Sequence, residues 1–394
     1  MSVRLLLSCG EASGDLYAGA LTRELRALSP GLTIAGLGGP HFAAAGGGLI
    51  ADYRGLSVTG LTEAVGKLPR SWATLRRLVA SARRDRPDAL VVVDFPDFNF
   101  RLARRIKQLG VPVVYYVSPQ IWAWRPGRLK AIRAFADRVL VIFPFEERIY
   151  REGGVPVEFV GHPLVDLAAA TVGRDEYLRR LGLDPRAPTV AILPGSRPNE
   201  VRQMLPTLVR AADRISARVP GTQFLLARAP NLEDGLFRYR VRDVSERSLT
   251  RPGDDSESLV VIENDTDNVL AAADLTLIAS GTATVQAALH GTPMVIVYRL
   301  SPITYKLGRP LVIVDTYGMP NLIAGAPIVP ELIQDDFTAE AVADQAIALL
   351  TDPDRAAAMR AALARVRACL GAAGASRRAA QSVLDVATRA VTKT

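Results

Sequence analysis

Short apolar runs alternate with amphipathic stretches along the whole chain. Runs at residues 3–8, 32–37, 89–94, 112–117, 138–142 and 157–160 read as strands in the first half. Those at 189–193, 222–227, 259–263, 275–278 and 294–298 do so in the second. Several are uninterrupted, such as Leu90-Val91-Val92-Val93, rather than alternating. Strands covered on both faces have that pattern, so parallel sheets sandwiched between helices are predicted. The expected fold class is α/β, with two doubly wound, Rossmann-like domains facing a cleft. The first domain is predicted over residues 1–168 and the second over 169–360. Helices over 361–394 are expected to pack back on the first domain. No fixed-period repeat is visible, which argues against a solenoid.

Composition sharpens this picture in three places. A chain of 394 residues is long for one α/β domain, and 49% apolar with 22% charged residues is globular. The two cysteines, Cys9 and Cys369, and three scattered histidines offer neither a disulfide framework nor a metal cluster, so no metal is inferred. The net charge of +8 comes almost entirely from arginine, a planar partner for phosphate. That charge suits an anionic membrane or a phosphorylated substrate. No nucleic-acid-binding module accompanies it, so no nucleic-acid partner is expected. The longest uncharged stretch, 275–298, is broken by Gly281, Gly291 and Pro293 and reads as strand, turn, helix and strand, not a membrane span. The opening run leads straight into a Gly-rich turn and reads as a first strand, not a signal peptide.

Open α/β sheets bind ligands beyond the carboxyl ends of their strands, and the unusual residues lie there. Gly10-Glu11-Ala12-Ser13-Gly14-Asp15 follows the first strand and reads equally as a ligand turn or a tight turn with an aspartate cap. Asp94-Phe95-Pro96-Asp97-Phe98-Asn99 ends another strand. Asp94 is the candidate general base, whereas Asp97 reads more readily as a helix cap. Tyr115 to Arg125 carries Trp122 and Trp124 beside Arg125, suited to sugar, acyl chain and phosphate. Leu193-Pro194-Gly195-Ser196-Arg197 and Ala279-Ser280-Gly281-Thr282-Ala283 each open a helix without a P-loop's Gly-Lys-Ser/Thr, favouring a diphosphate-linked donor. The segment 61–86 spaces Leu68, Trp72 and Leu75 among arginines. It is an ordinary amphipathic helix or, as preferred here, one that inserts shallowly into anionic lipid.

Together these segments resemble the lipid-A-disaccharide synthase family. The resemblance is carried by Gly-Glu-Ala-Ser-Gly-Asp (10–15), Asp-Phe-Pro-Asp-Phe-Asn (94–99), Ser-Pro-Gln-Ile-Trp-Ala-Trp-Arg (118–125), Phe-Pro-Phe-Glu (143–146), Gly-His-Pro (161–163), Leu-Pro-Gly-Ser-Arg (193–197), Ala-Ser-Gly-Thr-Ala-Thr (279–284) and Pro-Asn-Leu-Ile-Ala-Gly (320–325). It implies a GT-B fold and an inverting, metal-independent transfer without cofactor. The sugar 2,3-diacylglucosamine would pass from UDP to the 6-hydroxyl of 2,3-diacylglucosamine 1-phosphate. It also implies a cytoplasmic enzyme, peripheral on the inner face of the membrane; a homodimer stays open. By the same resemblance Asp94 is the catalytic aspartate. Ser196, Arg197, Met204, Gly281, Thr282, Ala283 and Gln286 hold the UDP donor. Ser13, Asp97, Asn99, Trp122, Arg125 and Asn321 contact substrate. Gln286 departs from the glutamate usual in the family. A related transferase with another acceptor, or a non-catalytic membrane-binding relative, is the alternative.

Overall fold

The computed structural model describes residues 3–56, 61–122, 127–230, 232–237, 242–243, 259–301, 305 and 316–391. They form two compact units. The first holds the chain up to Asp166 and again from Leu370, and the second is drawn from Leu167 to Cys369.

In the first unit the elements run β1 (Arg4–Cys9), α1 (Ala12–Leu28), β2 (Thr33–Gly38), α2 (Pro40–Ala44), β3 (Gly48–Asp52), α3 (Leu61–Asp85), β4 (Ala89–Val93), α4 (Pro96–Lys107), β5 (Val113–Tyr116), α5 (Arg128–Phe135), β6 (Arg138–Val141), α6 (Pro144–Glu152) and β7 (Val157–Phe159). The seven strands are parallel in the order β3-β2-β1-β4-β5-β6-β7. All five residues of β4 are buried, as a strand with helices on both faces requires.

After a short turn, α7 (Leu164–Leu167), the second unit has α8 (Arg174–Arg180), β8 (Thr189–Leu193), α9 (Pro198–Arg218), β9 (Gln223–Arg228), β10 (Arg242–Asp243), β11 (Leu259–Glu263), α10 (Thr266–Ala272), β12 (Leu275–Ala279), α11 (Thr282–His290), β13 (Met294–Tyr298), α12 (Met319–Ala324), β14 (Glu331–Ile333), α13 (Ala339–Thr351) and α14 (Pro353–Cys369). Its strands are again parallel, ordered β10-β11-β9-β8-β12-β13-β14.

The chain then returns to the first unit as α15 (Ala375–Val391), which packs on α1. The return starts at Leu370, later than the break after residue 360 read from the sequence. The reason is α14, whose Met359, Leu363 and Val366 complete the second core. Three strands escaped the apolar pattern: β3, β10 and β14. All are short edge strands, and β3 and β14 contain no fully buried residue, so they carry no continuous apolar run.

Candidate active site

Each sheet reverses its winding once, in the first unit between β1 and β4 and in the second between β8 and β12. Such reversals open the crevice that binds ligands in doubly wound folds. Each sequence-predicted turn pair flanks one of them.

At the first reversal Cys9 lies beside Val93, which brings the Gly10 turn against the Asp94 turn. Asp94 and Phe95 both adopt left-handed backbone, with φ of 46° and 48°. Non-glycine residues seldom do so, and two in succession need a surround that imposes it. The surround is visible. Asn99 Nδ2 donates to the Asp94 carbonyl (2.8 Å) and to those of Val93 and Ser8 (3.3 Å each), while Ser8 Oγ donates to Asn99 Oδ1 (2.6 Å). Tyr115 OH also donates to the Asp94 carbonyl (3.1 Å). The Phe95 ring fills the space a side chain at Gly10 would need, 2.1 Å from an ideal Cβ there. The backbone of Asp94 is thus clamped and its side chain is left half-buried. Burial first, and then the Asp94 charge among other neighbours, pushes the hydroxyls of Tyr17 and Tyr115 upward.

One predicted contact is corrected here, and one predicted cap falls on a different helix. Asn99 is fully buried and spends its amide on that clamp, so it shapes the turn instead of touching substrate. Asp15 is a cap after all, but of another helix: its carboxylate accepts the N–H groups of Gly39, His41 and Phe42 at the start of α2. Ser13 is half-buried in the first turn of α1. Asp97 is largely exposed and pairs with Arg128 (2.5 Å). Trp122 is half-buried, donates to Glu146 Oε1 (3.0 Å) and meets the Phe145 ring edge-on at 4.9 Å. Arg125 lies outside the described residues.

At the second reversal Leu193 pairs with Ile278, so Pro194–Arg197 and Ser280–Ala283 lie side by side, each leading into a helix. Gly195 and Gly281 take φ of 120° and 153°. Ser196 and Thr282 are exposed, and Arg197 and Ala283 are half-buried. Glu200, which the sequence reading passed over, accepts from Ser196 N (3.1 Å), Arg197 Nη1 (3.3 Å) and Tyr298 OH (3.3 Å). Its place three residues into α9 was the available signal, because glutamate there reaches back to cap a helix start. Gln286 donates to Asp267 Oδ1 (3.4 Å), an oxygen that also contacts His290 Nε2 (2.9 Å).

Met204 is a correction: it is fully buried in the second core beside Val201 and Leu208. Asn321 is another. It is 1% exposed, and its amide donates to Val329 O and Glu331 Oε1 while its oxygen accepts Ile328 N and Val329 N, so it braces α12 against the strand that follows.

The membrane reading of α3 divides. Leu75 is 2% exposed within the first core, with Leu78 and Val79, because the apolar stripe faces the sheet. Trp72 faces outward at 41% exposure, with the Arg105 guanidinium 4.9 Å from its ring centre. The Leu68 side chain lies outside the described residues. Among the described residues, no helix is long and apolar enough to cross a membrane. Among them too, no three His, Cys, Asp or Glu side chains are grouped to hold a metal ion.

The fold is that of GT-B glycosyltransferases. Solved structures similar to the chain include the glycotransferase of kitacinnamycin (TM-score 0.62, 17% identity, 98% of this chain and 99% of that one). Another is the UDP-GlcNAc 2-epimerase from Neisseria meningitidis bound to UDP-GlcNAc (TM-score 0.67, 12% identity, 98% and 100%). In sequence the chain is 44% identical over 392 residues to a lipid-A-disaccharide synthase of Koribacter versatilis, covering 98% of this chain and 99% of that one. It is 42% identical over 388 residues to the synthase of Geobacter sulfurreducens, covering 98% and 97%. The sequence profile described as lipid-A-disaccharide synthetase matches residues 5–386. A match of that extent, with both predicted turn pairs at the sheet reversals, means that the chain belongs to the lipid-A-disaccharide synthase family.

Proposed function

We propose that the chain transfers 2,3-diacylglucosamine from UDP to the 6-hydroxyl of 2,3-diacylglucosamine 1-phosphate, with inversion, giving a β-1,6-linked disaccharide 1-phosphate and UDP. The observation that carries the reading is the placement of both helix-opening turns, 194–197 and 280–283, on adjacent strands at the second reversal. Two helix starts and one arginine there suit a diphosphate. As the bond to the sugar breaks, negative charge grows on UDP. Arg197 and the N–H groups around Ser196 and Thr282 stabilise it, those now bonded to Glu200 turning to the diphosphate. Asp94 takes the proton of the attacking hydroxyl. Its backbone, clamped by Asn99 and Tyr115, fixes the residue at the mouth of the first reversal.

Because both sugars are acylated, the enzyme meets them at an anionic membrane surface. The support is Trp72 and Leu49 (41% and 45% exposed) on packed elements α3 and β3, with Arg70, Arg76 and Arg77 exposed around them. The test is mass spectrometry of the products formed from the two diacylated sugars with and without EDTA. A disaccharide 1-phosphate formed equally in both is expected, and Arg197→Ala should weaken UDP binding about tenfold or more. No disaccharide from the wild-type protein would overturn the assignment, and a Mg²⁺-restored loss in EDTA would overturn the metal-free step.

A further inference from the structure

Glu146 has no part in the transfer described above, yet it is 1% exposed, at the third position of α6. Its Oε2 accepts the Phe143 N–H (3.2 Å), which is ordinary helix capping. Its Oε1 accepts the Trp122 indole N–H (3.0 Å), which capping does not require. That bond ties α6 to the turn between β5 and α5. Phe143 and Phe145 stack at 5.7 Å, with Phe145 against Trp122. On the other side, Ser118 Oγ and Tyr150 OH are buried and make no hydrogen bond of normal geometry.

We propose that Glu146 is the positioning residue of the aromatic turn after β5, holding Trp122 against the acceptor sugar, and that proton uptake by Glu146 releases it. The proposal rests on the reading of Trp122 as an acceptor contact. One backbone and one indole N–H converge on Glu146, and only a carboxylate offers both an acceptor oxygen. A carboxylic acid has one good acceptor and one donor, and Ser118 Oγ and Tyr150 OH stand ready to take that donor. The Phe143 N–H is fixed in the backbone, whereas Trp122 is a side chain on a turn. The indole is therefore the partner given up.

The pH range is accessible. Burial pushes the Glu146 carboxyl up to about 7, held back by Trp122, the backbone N–H groups and Ser118. The titratable neighbours are Tyr150 on α6 and, across the Phe143 ring, His162; burial keeps both neutral near pH 7. Since the native chain holds this proton to about pH 7 and the unfolded chain releases it near 4.5, the group's stabilisation is complete at acid pH and is lost as pH rises through 7. Stability and positioning thus oppose one another: the charged form holds Trp122 and costs folding energy.

The protein labelled with 5-fluorotryptophan gives the direct measurement, with Trp122→Phe assigning the resonance. The Trp122 signal should shift with a midpoint near pH 7 in the wild type and stay flat in Glu146→Gln, while the Trp72 signal reports that the variant is folded. In parallel, the acceptor KM should rise about fivefold between about pH 8 and pH 6 with kcat and donor KM nearly constant, and should be high and flat in Glu146→Gln. A Trp122 signal that does not titrate, or titrates identically in Glu146→Gln, overturns the proposal, as does a pH-independent acceptor KM in an enzyme that turns over. Should Glu146→Gln not fold, the wild-type titration and KM profile decide alone. Absence of any disaccharide product would overturn the functional reading instead, and the fluorine titration would still decide whether Glu146 holds Trp122.

Discussion

Asp94 shows how a single residue is prepared for chemistry. Left-handed backbone at Asp94 and at Phe95 costs about 1–3 kcal/mol each. Three polar side chains, Ser8, Asn99 and Tyr115, and one ring packed on a glycine keep it there. Asp94→Asn retains the size and removes the proton acceptor. Turnover should fall about 10²- to 10⁴-fold while UDP affinity, measured by calorimetry, stays within error. Near-normal turnover would take the base role from Asp94. At this scale the sequence was legible where residue type and place agree, as with an aspartate or arginine just past an apolar strand. It was not legible where a polar or sulfur-bearing residue sits in the same motif but faces inward. Asn99 shares a helix with the exposed Asp97, and Asn321 and Met204 lie in motifs that follow the same pattern; only the direction of the side chain separates clamp or core from contact.

The elements divide in the same way. Continuous apolar runs disclosed the central strands because both faces are covered, and the edge strands β3 and β14 stayed hidden because theirs are not; β10, also at an edge, is two residues long. The arginine-rich α3 was ambiguous for a similar reason. Its helical spacing marks an apolar stripe without saying what lies opposite. The structure puts Leu75 on the core side and Trp72 outside. Trp72→Ser should therefore lower binding to anionic vesicles about fivefold, the weight of a half-buried aromatic, with little change in thermal stability. Leu75→Ser should instead destabilise the fold by about 2–5 kcal/mol, as loss of a buried leucine does. Co-sedimentation with vesicles of mixed anionic and neutral lipid separates the two. Equal vesicle binding by Trp72→Ser and wild type would exclude this face of α3 as the membrane contact.

Across the whole molecule, chain order and structural membership part company at Leu370. The last helix, α15, is anchored in the first unit. Arg378 Nε donates to Val160 O (2.8 Å), Gly374 N to the Asp166 carboxylate (2.9 Å), His162 N to Leu370 O (2.8 Å), and Ser382 links Arg138 and Glu158. Its Ala379, Ala380, Val383 and Ala387 are fully buried. The second unit has its own core, closed by α14. Two units with separate cores can unfold as separate transitions, and a ligand raises only the one that binds it. Val383→Asp places an unpaired charge in the α15 interface and should lower the first unit's transition by several kelvin or abolish it, the cost of a buried charge being several kcal/mol. The second unit's transition should hold its place in that variant and move upward by about 2.7 kcal/mol of stability when UDP is present at 100 times its dissociation constant. Differential scanning calorimetry of the two proteins with and without UDP reads both effects together. A UDP shift confined to the transition that Val383→Asp lowers would contradict the assignment of the donor to the second unit.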